Sequence, residues 1–188
     1  MKKLILASAL IGLSLYGKAQ QVEIIPKVGI NVSKQSINSI SGEKMKVRFQ
    51  GGLGVNIFTG IKNFSIQPEI NYIGKGTTIK KDNIKKDLDL NYLELPILAK
   101  YSFGPVYVNA GPSIGLLLDK DSKLIQNYGE KLNKIDFGVQ MGAGVALPAG
   151  PGKIIVDARY NLGLNDLGKI STIKNRGIMA SFGYAIPF

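Results

Sequence analysis

The residues of this chain that could do chemistry are carboxylates, lysines and arginines, because the sequence contains no His and no Cys. Without His, a Ser-His-Asp triad, a His general base and a His-bearing metal site are excluded. Without Cys, zinc–thiolate and thiol chemistry are excluded as well. Charged residues instead recur on one face of several alternating stretches: Glu23, Lys27, Arg48, Glu69, Glu94, Lys100, Asp136, Lys153, Asp157 and Arg159.

A pair of these carboxylates could serve as a general acid and a general base. The acidic and basic members are nearly balanced, however, and this balance favours ion pairs within a narrow polar interior. Each charge needs a partner there, since losing one partner of a buried pair costs roughly 3–5 kcal/mol. We therefore predict a structural charge network in a protein that is not an enzyme and that holds no cofactor or metal.

The stretch 91–103, NYLELPILAKYSF, indicates which element positions the charges. Leu93, Leu95 and Ile97 fall on one face, whereas Glu94 and Lys100 fall on the other. Alternation of this length is typical of a β-strand with different surroundings on its two faces. It recurs in eight stretches, at residues 22–33, 47–58, 64–74, 91–103, 106–118, 135–147, 153–164 and 177–188.

An apolar stripe on every strand predicts an all-β fold, an eight-stranded antiparallel up-and-down transmembrane β-barrel with an apolar outside and a polar inside. Short Gly/Pro-rich turns alternate with longer polar loops near 34–46, 75–87, 119–134 and 165–176. Short turns of bacterial outer-membrane barrels face the periplasm, so both chain ends are expected on that side. An exported soluble β-sandwich or a lipocalin-like barrel is the alternative fold.

Prolines and glycines refine this prediction. Pro26, Pro68, Pro96 and Pro112 fall inside predicted strands. Because Pro lacks a ladder donor and a closed barrel has no edge, we expect these prolines to mark β-bulges. Glycines recur on the inward face, where they leave room for large side chains. A small barrel has an interior about wide enough for side chains, which predicts a plugged lumen.

The N-terminus has the features of a cleaved export signal. A basic start at Met1 precedes an apolar segment, residues 4–16, and the small-x-small site 17–19. We expect a signal peptide at 1–19 and an outer-membrane β-barrel domain at 20–188. The alternative, a spanning helix, requires about 20 apolar residues, and this segment is shorter.

Lysines are concentrated in the predicted loops of a chain with a net charge of +11. The richest loop, 75–87, contains Lys75, Lys80, Lys81, Lys85 and Lys86. We expect these side chains to contact the lipid and the phosphates of lipopolysaccharide in an outer membrane. The alternative is recognition of an anionic polysaccharide or a partner protein. Nucleic acid is not an expected partner, because an exported chain without a compact basic stripe does not suit it.

Several motifs resemble a known family. They are YLELPILAKY at 92–101, PKVGINVS at 26–33, IQPEINYIGKG at 66–76, VNAGPSIGLLL at 108–118, DFGVQMGAGV at 136–145 and RYNLGLNDL at 159–167. In this order they resemble the PorT-like outer-membrane β-barrel family, small barrels often labelled "porin family". The resemblance covers essentially the whole chain after the leader. It implies an eight-stranded barrel of the outer membrane and brings no catalytic residues.

The last eight residues, SFGYAIPF, resemble the terminal signal that the barrel-assembly machinery reads. Ser181 is the polar position, Gly183 the glycine, and Ile186 and Phe188 the apolar pair. The alternative is an ordinary final strand that ends in an aromatic residue.

Three classes of function remain open. The first, which we favour, is a structural or interaction barrel of the outer membrane, with an accessory role in secretion as one variant. The second is a small diffusion pore, against which a filled lumen argues. The third, a membrane-embedded enzyme, lacks a recognisable site. Conductance across a bilayer discriminates the first two classes.

Overall fold

The predicted strands close into a barrel in the computed structural model of the chain, which describes residues 22–37, 43–81, 84–121, 134–165 and 173–188. Consecutive strands pair antiparallel, and β8 pairs with β1, so the sheet has no edge. The predicted fold class is confirmed. The strands are β1 (Val22–Ile37), β2 (Glu43–Phe58), β3 (Phe64–Lys81), β4 (Ile84–Phe103), β5 (Val106–Asp121), β6 (Ile135–Ala149), β7 (Gly152–Gly163) and β8 (Ile173–Pro187).

The two faces of the sheet differ as the alternation predicts. On β4, Leu95 and Ile97 lie on the outside, whereas Glu94 and Lys100 are buried inside. Large apolar side chains are exposed on the outside of each strand, for example Ile30, Phe49, Ile70, Leu95, Val108, Phe137, Val156 and Phe182. An apolar outer band around a polar interior is the arrangement that lipid requires.

Tight turns follow β2, β4 and β6, as predicted. Gly60, Gly104 and Gly150 occupy them with φ of 81°, 66° and 60°. These values lie in the left-handed region, which a side chain with a Cβ disfavours. The short connections therefore gather at one end of the barrel, which we call the turn side; the opposite end is the loop side.

On the loop side, the prediction of a polar loop at 75–87 is wrong. β3 continues to Lys81 and β4 begins at Ile84, with register pairs from Lys75 with Leu90 to Lys81 with Ile84. The backbone groups of two adjoining strands can keep pairing whatever the side chains are, so the ladder extends into the polar sequence. The alternation of apolar residues therefore stops before the strands do, and it underestimates the lengths of β3 and β4.

The expectation that the in-strand prolines mark bulges is also wrong. Each proline has a register partner on one neighbouring strand, and the register is the same before and after it. The partners of Pro26, Pro68, Pro96 and Pro112 are Leu53, Ile97, Ser113 and Val139. A missing N–H removes a single donor, and the ladder accepts this loss without an extra residue. The register shifts seen among the described pairs lie instead between Met45 and Gln50 and between Asn91 and Tyr92.

The predicted signal peptide, 1–19, lies outside the described residues and remains a prediction. Within the described part of the chain, no helix has the length and apolar character needed to cross a membrane.

Candidate functional site in the barrel interior

The centre of the lumen holds four interlocked charges, Lys27, Glu69, Asp157 and Arg159, which we call the central cluster. Both oxygens of Glu69 accept hydrogen bonds from the Arg159 guanidinium, at 2.8 and 3.0 Å. Lys27 forms an ion pair with the same carboxylate, and Arg159 also pairs with Asp157. A bidentate pair is among the strongest hydrogen-bonded contacts between side chains, and it fixes both partners in orientation.

Neutral side chains complete the hydrogen bonding of these carboxylates. Gln67 and Asn71 donate to Glu69, at 2.6 and 2.9 Å. The Tyr107 hydroxyl and the Asn109 amide donate to Oδ2 of Asp157, at 2.8 and 3.0 Å. A buried carboxylate is tolerated when opposite charge and donors surround it, as they do here.

A second group, the loop-side cluster, consists of Lys75, Glu94 and Asp136. The Lys75 ammonium lies 3.1 Å from Oε1 of Glu94 and 3.1 Å from Oδ2 of Asp136. Gln140 donates to the other oxygen of Glu94 at 2.9 Å, and Asn161 donates to Oε1 at 3.1 Å. The cluster carries two carboxylates and only one ammonium. Hydrogen bonds from the two amides therefore supply part of the stabilisation of the Glu94 carboxylate.

The assignment of Lys75 to an exposed basic loop is therefore wrong. Its side chain is 3% exposed and points into the lumen from β3. It was missed because the polar sequence around it looked like a loop, although it continues the inward positions of Gln67, Glu69 and Asn71. Lys80, Lys81, Lys85 and Lys86 lie on β3 and β4, and their side chains are outside the described residues.

Glu23 and Lys153 form an ion pair at the turn side of the lumen. Their charged atoms are 2.7 Å apart, and the Asn56 amide donates to the second Glu23 oxygen at 3.0 Å. Between this pair and the central cluster lies a small apolar group of buried residues, which consists of Ile25, Tyr107, Ile155 and Ala185. Apolar packing at this level separates the turn-side charges from those at the centre.

Lys100 departs from the prediction that every inward charge has an opposite charge as its partner. Among the described residues its ammonium makes no ion pair. It lies 3.9 Å from the centre of the Tyr107 ring and 3.4 Å from the Gln67 side-chain oxygen. The negative face of an aromatic ring attracts a cation, which explains how this lysine is held in the interior.

Arg48 lies at the loop-side mouth of the lumen, away from the central cluster. With Lys46 it binds Asp89, at 2.9 and 2.8 Å, and it donates to Asn91 at 3.0 Å. We call Lys46, Arg48 and Asp89 the rim group. The side chain of Arg48 is 27% exposed, unlike the charges deeper in the lumen. Asp89 was missed because it falls between the predicted loop, 75–87, and the predicted strand, which begins at residue 91.

The interior is filled at the depth of the central cluster. A cavity of about 10 Å³ remains beside Lys27, Asp157 and Arg159, which is about the space that one water molecule needs. No three of the His, Cys, Asp and Glu residues in the described ranges converge to hold a metal ion. The chemistry that this arrangement supports is charge pairing between strands.

The C-terminal residues lie beside β1. Gly183 packs against β1, where an added Cβ would lie 2.8 Å from the backbone oxygen of Pro26. Ser181 faces the cavity, and Ile186 is exposed on the apolar outside. The backbone N–H of Phe188 donates to Val22 at 2.8 Å. The predicted role of these residues in assembly stays a prediction.

Comparisons with known proteins agree with this architecture. A family model described as "Outer membrane protein beta-barrel domain" matches residues 18–168. Ail, the attachment invasion locus protein of Yersinia pestis, was solved with the heparin analogue sucrose octasulfate. It is 14% identical over 90% of this chain and 100% of its own, with a TM-score of 0.50.

Neisserial surface protein A (NspA) is a second solved structure with this likeness. It is 12% identical over 85% of this chain and 95% of its own, with a TM-score of 0.51. At these identities both likenesses show the fold alone. No curated protein matches the chain.

Proposed function

Because the chain belongs to the family of outer membrane protein β-barrel domains, we propose that it is a structural or interaction protein of that membrane with a closed lumen. The family places the barrel in the outer membrane. The proposal concerns what the barrel does in that membrane. We further propose that both chain ends lie in the periplasm. Membership of the narrower PorT-like group stays a prediction that rests on the sequence motifs.

The pair of Glu69 and Arg159 carries the proposal of a closed lumen. Glu69 lies on β3 and Arg159 on β7, four strands apart in a ring of eight, so their bidentate contact spans the lumen from one wall to the other. Lys27 forms an ion pair with Glu69, and Asp157 forms one with Arg159. A continuous column of water would have to replace these buried contacts.

Conductance in planar bilayers tests the closed lumen. We expect the purified barrel to show no sustained single-channel conductance. The double variant K27A/R159A removes bulk and charge at the centre, so brief openings from it would show that the assay detects a leak. Reproducible, long-lived openings of the unmodified protein would contradict the proposal and favour a small diffusion pore.

The loop side is proposed to be the interaction surface, and its partner is proposed to be anionic. The register places Lys34 opposite Arg176 and Lys80 opposite Lys85, on the strand segments beyond the apolar band. Like charges directly opposite each other are unfavourable in a sheet, and an anion between them relieves the repulsion. Lipopolysaccharide phosphates supply such anions throughout the outer leaflet.

Binding of phosphate-bearing lipopolysaccharide tests this surface. We expect K80Q/K85Q to weaken binding of the detergent-solubilised barrel to native lipopolysaccharide. Binding to a dephosphorylated form should already be weak in the unmodified protein. K62Q, which removes a lysine from the turn after β2, serves as the control. Equal binding by K80Q/K85Q and the unmodified protein would contradict an anion site at this pair.

A further inference from the structure

β3 leaves the regular barrel wall at residues 73–76. On the turn side of this segment, the exposed residues Ile70 and Tyr72 alternate with buried side chains, as in a wall between lipid and lumen. From Ile73 to Gly76, four consecutive residues are buried. In a β-strand successive residues point to opposite faces, so both faces of β3 are covered at this level.

Side chains of β1 bind one edge of this segment. The Asn31 amide donates to the backbone oxygen of Gly74 at 2.8 Å. The Ser33 hydroxyl donates to the oxygen of Gly76 at 3.2 Å and accepts from its N–H at 2.9 Å. In strand order β2 stands between β1 and β3, so these bonds bypass β2. We call them the clasp.

The outer face of the segment lies under side chains of β2. Lys46 and Arg48 point inward from β2 and reach Asp89 and Asn91 on β4. On the way Arg48 crosses Gly74, where an added Cβ would lie 2.8 Å from its Nε atom. Side chains on the inner face of β2 thus lie against the outer face of β3. At this level β3 therefore lies inside β2, and β4 remains paired with it.

Register shifts stand on both sides of the inturned segment. The pairing of β2 with β3 shifts between Met45 and Gln50, and the pairing of β4 with β5 shifts between Asn91 and Tyr92. Such irregularities bend a strand and interrupt its ladder. From the inner face, Lys75 points down onto Glu94 and Asp136. The segment thus covers the loop-side cluster, and the ladders on its two sides are irregular at this level.

We propose that residues 73–76 of β3 and 89–92 of β4 form a movable cap over the lumen, held shut by the clasp and by the rim group. The proposal rests on the closed lumen proposed above and names the element that closes its outer end. The rim group is partly exposed, so salt screens its ion pairs and external anions compete with Asp89 for Lys46 and Arg48. The cap therefore opens more often as ionic strength rises.

A cysteine beneath the cap measures its opening. The chain contains no Cys, and Ser113 is a buried, inward-facing residue of β5 whose replacement, Ser113→Cys, changes one atom. A small, membrane-impermeant methanethiosulfonate reagent is added to the folded barrel, and its reaction rate with residue 113 is followed by mass spectrometry. We expect slow labelling in S113C, with a rate that increases with salt.

Removing the clasp, in S113C/N31A/S33A, should raise the labelling rate roughly ten- to hundredfold, because these bonds to buried backbone groups hold the cap shut. The matched control is S113C/T59A, which removes a hydroxyl-to-backbone bond, Thr59 to Phe64, at the opposite rim. We expect the control to label at the S113C rate. Heat-modifiable migration on gels verifies that each variant is folded.

If the clasp variant does not fold, S113C/D89N tests the cap instead. This variant keeps the shape of Asp89 and removes its charge. We expect this variant to label several-fold faster, with little remaining dependence on salt. Labelling of the folded variants at the S113C rate would overturn the cap. Sustained conductance of the unmodified protein would instead contradict the closed lumen itself, so the two failures are distinguishable.

Discussion

Arg159 contacts both carboxylates of the central cluster. Its guanidinium makes two hydrogen bonds to Glu69 and an ion pair to Asp157, and all three side chains are buried. An ammonium in its place could not present two parallel donors in the same plane, so lysine is not an equivalent replacement. Glu69 would retain Lys27, but its negative charge would lose its bidentate partner.

We expect Arg159→Met to lower the free energy of unfolding by about 3–5 kcal/mol, because it leaves buried carboxylates without their main partner. The control is Lys153→Met, which breaks an ion pair whose lysine side chain is 40% exposed. Only Glu23 of this pair is buried, and it keeps the hydrogen bond from Asn56, so this variant should lose less stability than Arg159→Met. Urea unfolding in detergent or lipid measures both. Equal losses for the two variants would contradict a special role for the central cluster.

At the scale of the elements, each strand separates lipid from a packed polar interior. β4 shows this from its middle to its turn-side end, since Leu95 lies at mid-strand and Phe103 at the turn-side end, both on the outside. The cost of a charge on this face depends on depth, because the bilayer is most apolar at its middle.

We expect Leu95→Arg to destabilise the inserted barrel by about 2–4 kcal/mol, and Phe103→Arg by about 0–1 kcal/mol. Both changes introduce the same charge on the same face of the same strand, at two different depths. The fraction of heat-modifiable barrel in membranes and urea unfolding in liposomes measure the difference. Equal losses would show that the apolar band does not lie where the exposed residues place it.

The strands within the apolar band could be predicted from the sequence because two different surroundings impose a two-residue period on them. Outside that band the period ends, so the sequence predicts a loop where β3 and β4 extend, and it places Lys75 in that loop. Alternation also assigned Glu69 and Arg159 to the inside without pairing them. Which residues meet across a lumen depends on the tilt and stagger of the closed barrel, and no local pattern contains that information.

At the scale of the whole molecule, β8 closes the barrel against β1. The last residue, Phe188, donates its backbone N–H to Val22, while the residue itself is 92% exposed. The ring therefore adds little to the packing of the finished barrel. A requirement for this aromatic residue would have to arise during assembly.

We expect Phe188→Ser to reduce the amount of folded barrel in the outer membrane while export across the inner membrane continues. Refolding of the purified variant into detergent should yield the stability of the unmodified protein, because the backbone bond to β1 is kept. Immunoblots of membrane and periplasmic fractions, beside urea unfolding in vitro, measure the two effects. Normal membrane levels would remove the support for a targeting role of the terminal segment.

The contact between Glu69 and Arg159 also constrains the order of events when this protein is made. The two residues are 90 positions apart in the chain, and they meet only when β3 and β7 face each other across a finished ring. A flat or half-formed sheet in the bilayer would expose these charges to hydrocarbon, at a cost of several kcal/mol for each ion. Curling of the sheet must therefore accompany its entry into lipid, so that crossing the membrane and completing the circle are a single cooperative event.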